Sequence, residues 1–140
     1  MNVLVALAWP NHVHHEVVRT WLEHNAHLGW ATCPTTESGF VRISSNPVIP
    51  HAVTPPAALS MLGRLRDVDG HTFFTDDVSL VASPHVDTQR IASHRQVTDA
   101  HLLAIARRHD GRLATLDRGL RRTLARGEHD PSVVVIGADR

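Results

Sequence analysis

The chain predicts an α/β domain with a mainly parallel sheet, and three observations predict it. Short apolar runs alternate with helix-length amphipathic segments along all 140 residues. Two of the runs, 3–8 and 133–136, are continuously apolar, as strands buried on both faces of a parallel sheet are. The segments between carry Pro, Asn and Gly where helices start and stop.

Taken in order, the first strand is expected at 3–8. A Trp9-Pro10-Asn11 turn precedes a helix over 13–25 with Val13, Val17, Trp21 and Leu22 on one stripe. Residues 28–32 read as a second strand. Pro34 and Thr35 open a helix over 35–44, with Glu37 in its first turn. It stops at Ser45-Asn46-Pro47, because Pro disfavours α geometry in the residue before it. Thr54 is expected to cap a helix that has Pro55 in its first turn and runs to Arg66. A strand follows at 71–74, and Asp76-Asp77 read as a solvated turn. Thr98 is expected to cap a helix over 99–109, with Leu102, Leu103 and Ile105 inward and Gly111 at its stop. A strand at 112–116, a short helix at 118–126 and a strand at 133–136 complete the series. No repeat, low-complexity segment or linker divides the chain, so 1–140 is expected to be a single domain.

Composition excludes some classes. Net charge is zero, so no global basic field advertises nucleic acid, although charge can be local. All 14 basic residues are Arg. The lone Cys33 excludes an intramolecular disulfide and any zinc site built from several cysteines, and it fits a reducing cytosol. His12, His14 and His15 cluster, but their spacing converges poorly on one metal. No segment is long enough to cross a membrane. The apolar opening lacks a cationic lead-in and reads as a strand, not a signal peptide.

The acids carry the chemistry. Asp117 closes a strand and Asp99 opens a helix, while Glu37 stands alone in a non-acidic stretch. In parallel sheets, sites form beyond the carboxyl ends of the strands. Converging carboxylates repel until cations neutralise them. Mg2+ or Mn2+ does so with one or two carboxylates, water and phosphate oxygens. Each acid also has a structural reading. Asp99 suits a helix N-terminus, Asp117 a turn and Glu37 a capping pattern.

The order of motifs settles the family to expect. Asn2-Val3-Leu4-Val5-Ala6-Leu7-Ala8-Trp9-Pro10-Asn11-His12 comes first, then Thr36-Glu37-Ser38-Gly39-Phe40-Val41-Arg42 and Ser45-Asn46-Pro47. Asp76-Asp77-Val78-Ser79-Leu80, Val97-Thr98-Asp99-Ala100-His101-Leu102 and Leu113-Ala114-Thr115-Leu116-Asp117 follow in register. Together they resemble the PIN-domain toxins of VapBC toxin–antitoxin modules, particularly the mycobacterial branch, over nearly the whole chain.

The resemblance implies a PIN-like three-layer fold with a mainly parallel central sheet flanked by helices. It implies a cytoplasmic, Mg2+-dependent endoribonuclease that cleaves structured RNA. It also implies a cognate VapB-type antitoxin and a homodimer. The matching acids are Glu37, Asp99 and Asp117, as catalytic and metal-binding residues. Thr115 would orient a ligand or water from the strand face it shares with Asp117. Arg118, Arg121, Arg122 and Arg126 would meet RNA phosphates, or else form a solvated helix face. The alternative is a non-catalytic RNA-binding or interaction protein of the same fold with an incomplete acid set.

One departure stands at the front. The family pattern puts an Asp two residues before Asn2, just ahead of Met1. A misassigned start is the expected explanation, over a real loss. The codon preceding Met1 should then encode Asp in frame, behind two to four apolar codons. Sequencing the upstream DNA checks this, and a stop codon or frame break there would sink it.

Overall fold

The computed structural model describes residues 2–127 and 129–137. The chain forms two compact units, Met1–Phe74 and Thr75–Arg140.

The first unit runs α1 (Asn2–Ala8), α2 (His15–Asn25), β1 (Trp30–Thr32), α3 (Pro34–Ser44), α4 (Pro55–Arg66) and β2 (His71–Phe73). Its opening corrects the sequence reading, because the expected first strand at 3–8 is helix α1. A short apolar run suits a strand or a buried helix equally, and periodicity alone does not separate them. Leu and Ala are strong helix formers, and the fold supplies a helical partner. Leu4, Val5 and Ala8 pack on Phe40, Ala58 and Leu62, and α1 lies against α2, α3 and α4. The Trp9 N–H still reaches the Val5 carbonyl at 3.1 Å before Pro10 stops the helix.

Helix α2 starts at His15, two residues later than expected. Val13 is consequently 87% exposed, and Val18 and Leu22 are the buried pair. Thr54 caps α4 as its sequence suggests, accepting the Ala57 N–H at 3.3 Å. Phe40 of α3 is fully buried in the core of this unit.

β1 and β2 pair in parallel through the α3–α4 crossover, with Trp30 opposite His71 and Thr32 opposite Phe73. They enter side by side because Gly70 adopts a φ of +87°, and a Cβ there would stand 2.4 Å from the Ala26 carbonyl oxygen.

The second unit contains α5 (Val97–Arg108), β3 (Leu113–Thr115), α6 (Arg118–Thr123) and β4 (Val133–Val135). β3 and β4 are again parallel, with Leu113 opposite Val133 and Thr115 opposite Val135. The predicted parallel pairing is therefore realised as two two-stranded sheets, one in each unit. Ala100, Leu103 and Ala104 of α5 pack with Leu120, Leu124 and Val133.

Both ends of α5 differ from the sequence reading. A 3-10 turn over His94–Gln96 leads straight into the helix, so Thr98 lies inside it and is not its cap. At the C-terminus, Asp110 takes the left-handed turn at φ 53°. Gly111 then donates to the Ala106 carbonyl at 2.7 Å and Asp110 to the Arg107 carbonyl at 3.2 Å. The stop falls where predicted, but Asp adopts the positive φ, as its short polar side chain permits.

Asp130 is buried, and the sequence does not advertise it. It accepts hydrogen bonds from Arg107 at 2.5 Å, from the Arg126 N–H at 2.7 Å and from the Ser132 N–H at 2.9 Å. Burial pushes its carboxyl up, but the Arg126 and Ser132 hydrogen bonds and the Arg107 charge outweigh burial. They hold it far below the ordinary carboxylate range.

Its charge therefore favours folding above the unfolded value, near pH 4, and that support fades as pH falls. Removing one partner leaves a buried charge uncompensated. Asp130→Ala should cost about 3–5 kcal/mol in chemical denaturation at pH 7, and the gap from the parent should narrow toward pH 2. A cost below about 1 kcal/mol, the level of an exposed pair, would show the pair to be ornamental.

Candidate active site

In the second unit, Asp117 is where β3 hands over to α6. Its own N–H donates to the Thr115 hydroxyl at 3.0 Å, and its Oδ1 accepts the Gly119 N–H at 2.7 Å as the α6 cap. Glycine suits that contact, since a Cβ at Gly119 would stand 3.1 Å from Oδ1. Thr115 is 5% exposed. One carboxylate oxygen is thus tied to the backbone, and the residue itself is exposed. The turn role posed for Asp117 by sequence is thus realised, and it leaves the second carboxylate oxygen without a part in the cap.

Asp99 lies in the first turn of α5, half-buried. Burial first, and the neighbouring Asp117 charge second, raise its carboxyl above the ordinary value. α5 and the end of β3 therefore bring these two predicted acids within electrostatic reach of each other.

Glu37 belongs to the first unit, where it sits in a network of its own. The Thr32 hydroxyl donates to its Oε1 at 2.6 Å, and Arg66 approaches its Oε2 at 3.5 Å. Glu37 was weighed as a capping residue, but α3 is closed by Cys33 and Thr36, with Cys33 N–H donating to the Thr36 hydroxyl at 2.9 Å. The Glu37 carboxylate is thereby released from the helix end. His71 completes the network at 2.8 Å from the Thr32 hydroxyl. Burial and the Arg66 charge lower the His71 value, and Glu37 partly opposes them.

Two expectations change. Asp76 is exposed, as expected, but it is also paired: its oxygens lie 2.9 and 3.0 Å from Nε2 of His101 on α5. Asp77 pairs with Arg108 at 3.3 Å. Among the four arginines after Asp117, Arg121 is absorbed into the fold, donating to the Val133 carbonyl at 2.8 Å. Arg118 is exposed and donates to the Gly137 carbonyl at 3.1 Å, and Arg122 and Arg126 are exposed.

Among the described residues, no three His, Cys, Asp or Glu side chains are grouped to hold a metal ion. The Asp99–Asp117 pair nevertheless fits a hard divalent cation, which binds through one or two carboxylates and completes its shell with water and substrate oxygens. Burial and then the Asp117 charge raise Asp99, and a cation there would relieve the repulsion. No helix of the described residues is long and apolar enough to cross a membrane.

Asp117 at the carboxyl end of a parallel strand and Asp99 at the start of a neighbouring helix define a small α/β domain with an acidic site, and comparison with known proteins narrows it. Residues 1–124 match the family model described as PIN domain. The chain is 54% identical to Ribonuclease VapC38 of Mycobacterium tuberculosis over 121 residues, 86% of this chain and 84% of that protein. It is 47% identical to Ribonuclease VapC39 of the same organism, over 86% of this chain and 87% of that protein. With Ribonuclease VapC44 the identity is 40%, over 91% and 89%. The chain belongs to the PIN-domain family, on its mycobacterial VapC branch.

The raised Asp99 carboxyl has a stability consequence. The folded state holds this proton more tightly than the unfolded chain, so its contribution is full at low pH and is lost as pH rises through the raised value. Asp99→Asn should therefore melt at or above the parent's temperature at pH 7. The advantage should vanish below about pH 4, where unfolded aspartates are protonated as well. A lower melting temperature for the variant at pH 7 would make Asp99 a structural helix-end charge.

Proposed function

We propose that this protein is a Mg2+- or Mn2+-dependent endoribonuclease toxin that cleaves structured RNA in the cytoplasm and is neutralised by a cognate VapB-type antitoxin. The observation that carries the reading is the Asp99–Asp117 pair, with Asp117 fixed by Thr115 and Gly119 at the end of a parallel strand. Membership of the VapC branch, whose relatives bear the name ribonuclease, supports it.

A bound divalent cation supplies positive charge at the scissile phosphate and polarises water for in-line attack. Asp99 and Asp117 would hold it, and Glu37 is proposed as a further metal ligand, directly or through water. Thr115 accepts the Asp117 N–H and so supports the turn that carries the carboxylate, and orienting a ligand or water is its proposed role. Arg118, Arg122 and Arg126 present guanidinium groups for RNA phosphates. Arg121 would reach them only by giving up its bond to Val133. The single-domain organisation over 1–140 and a homodimer belong to this reading. Phe40 lies in its own core, so Val41 and Ile43 are what α3 offers a second copy.

The antitoxin fits the same chemistry. An amphipathic tail that folds on binding and brings an Arg or Lys to the carboxylates substitutes for cation charge. Purified protein should cleave RNA only with Mg2+ or Mn2+. Asp99→Asn and Asp117→Asn should each abolish cleavage without unfolding, while Asp76→Asn should be mild. The product of a small adjacent reading frame should suppress cleavage on co-expression. RNA retained without any cleavage, at every metal concentration, would favour the non-catalytic RNA binder instead.

A further inference from the structure

Glu37 has more support than a surface carboxylate needs. Thr32 is 3% exposed at the end of β1, and its hydroxyl spends its one proton on Glu37 Oε1 at 2.6 Å. The 2.8 Å contact to His71 must then run the other way, with Nε2–H donating to the hydroxyl oxygen. That fixes the His71 tautomer. The ring is itself set by Trp30, whose plane meets it edge-on with centroids 4.7 Å apart. Arg66 is the loose partner. It is 3.4–3.5 Å from the carboxylate, 42% exposed in its side chain, and lies over the Phe73 ring at 5.2 Å.

We propose that Thr32 and His71 are positioning residues for Glu37, fixing its carboxylate for a divalent cation through the hydrogen-bond chain from His71 to Thr32 to Glu37. The parallel register places all three together. Thr32 and His71 lie on adjacent strands, and α3 starts one residue after Cys33, so Glu37 returns over the strand end. A hydroxyl that donates to one oxygen leaves the other for a cation, which would have to displace Arg66, whose Nη1 straddles the carboxylate at 3.4 Å from Oε1 and 3.5 Å from Oε2. Groups that orient a metal-binding side chain in this way typically contribute 10–100-fold to metal affinity.

The inference rests on the proposed role of Glu37 as a metal ligand, and calorimetric Mn2+ titration of the full-length protein tests the two separately. Thr32→Val and His71→Phe should weaken Mn2+ binding by about 10–100-fold. Thr32→Ser and His71→Gln, which keep a hydroxyl and a donor N–H, should restore most of it. Thermal melts run in parallel separate affinity from folding. If Thr32→Val lowers the melting temperature but leaves Mn2+ affinity unchanged, the chain is merely structural and the inference falls. If Glu37→Gln weakens binding while both Thr32→Val and His71→Phe leave it intact, the site reading stands and the inference alone is wrong. If Glu37→Gln leaves affinity unchanged, Glu37 is no ligand and the inference falls with it. If neither Glu37→Gln nor Asp99→Asn changes Mn2+ affinity, the metal-site reading itself fails.

Discussion

A carboxylate beside another negative charge keeps its place only if something else holds it there. That constraint organises the candidate site. Asp117 faces the field of Asp99, and two hydrogen bonds along its own turn fix it, its N–H donating to the Thr115 hydroxyl and its Oδ1 accepting the Gly119 N–H. The energy of those bonds comes from the fold, so the repulsion is borne before any cation arrives. Groups fixed in advance need no reorganisation when charge develops on a substrate.

The two units solve this problem alike. Trp30-Ala31-Thr32 and Leu113-Ala114-Thr115 are three-residue parallel strands that each end on a buried threonine. In each, the hydroxyl meets the acid that follows, as donor to the Glu37 carboxylate and as acceptor from the Asp117 backbone. A buried hydroxyl needs a partner, and a helix-borne acid just beyond a strand end is the nearest one. Side chains at the carboxyl ends of parallel strands converge on the crevice where such folds act. The same geometry that satisfies Thr32 and Thr115 therefore fixes the Glu37 carboxylate in one unit and the Asp117 turn in the other.

Much of the architecture was legible in the residues. The Thr54-Pro55 start, the Pro47 stop, the parallel strands and the buried face of α5 follow from local sterics and periodicity, which act within a few residues. Asp99 and Asp117 were legible because each stands at the boundary of an element. Three things were not. The run at 3–8 became helix α1 because Phe40, Ala58 and Leu62 offered it a helical seat. Asp76 found His101 twenty-five positions away. Asp130 became a buried charge because Arg107 reaches it across the core of the second unit.

The sequence by itself determined the class of fold and its family, and it singled out Glu37, Asp99 and Asp117 as acids to watch, since these depend on residue type and on spacing along the chain. Tertiary structure alone decided which partners those acids have. Thr32 and His71 lie thirty-nine positions apart and meet through strand register. Asp99 is raised because α5 folds back on the end of β3. Hydrogen bonds and Coulomb forces act through space over a few ångström, and no local pattern in a chain records which distant atoms will come within that range.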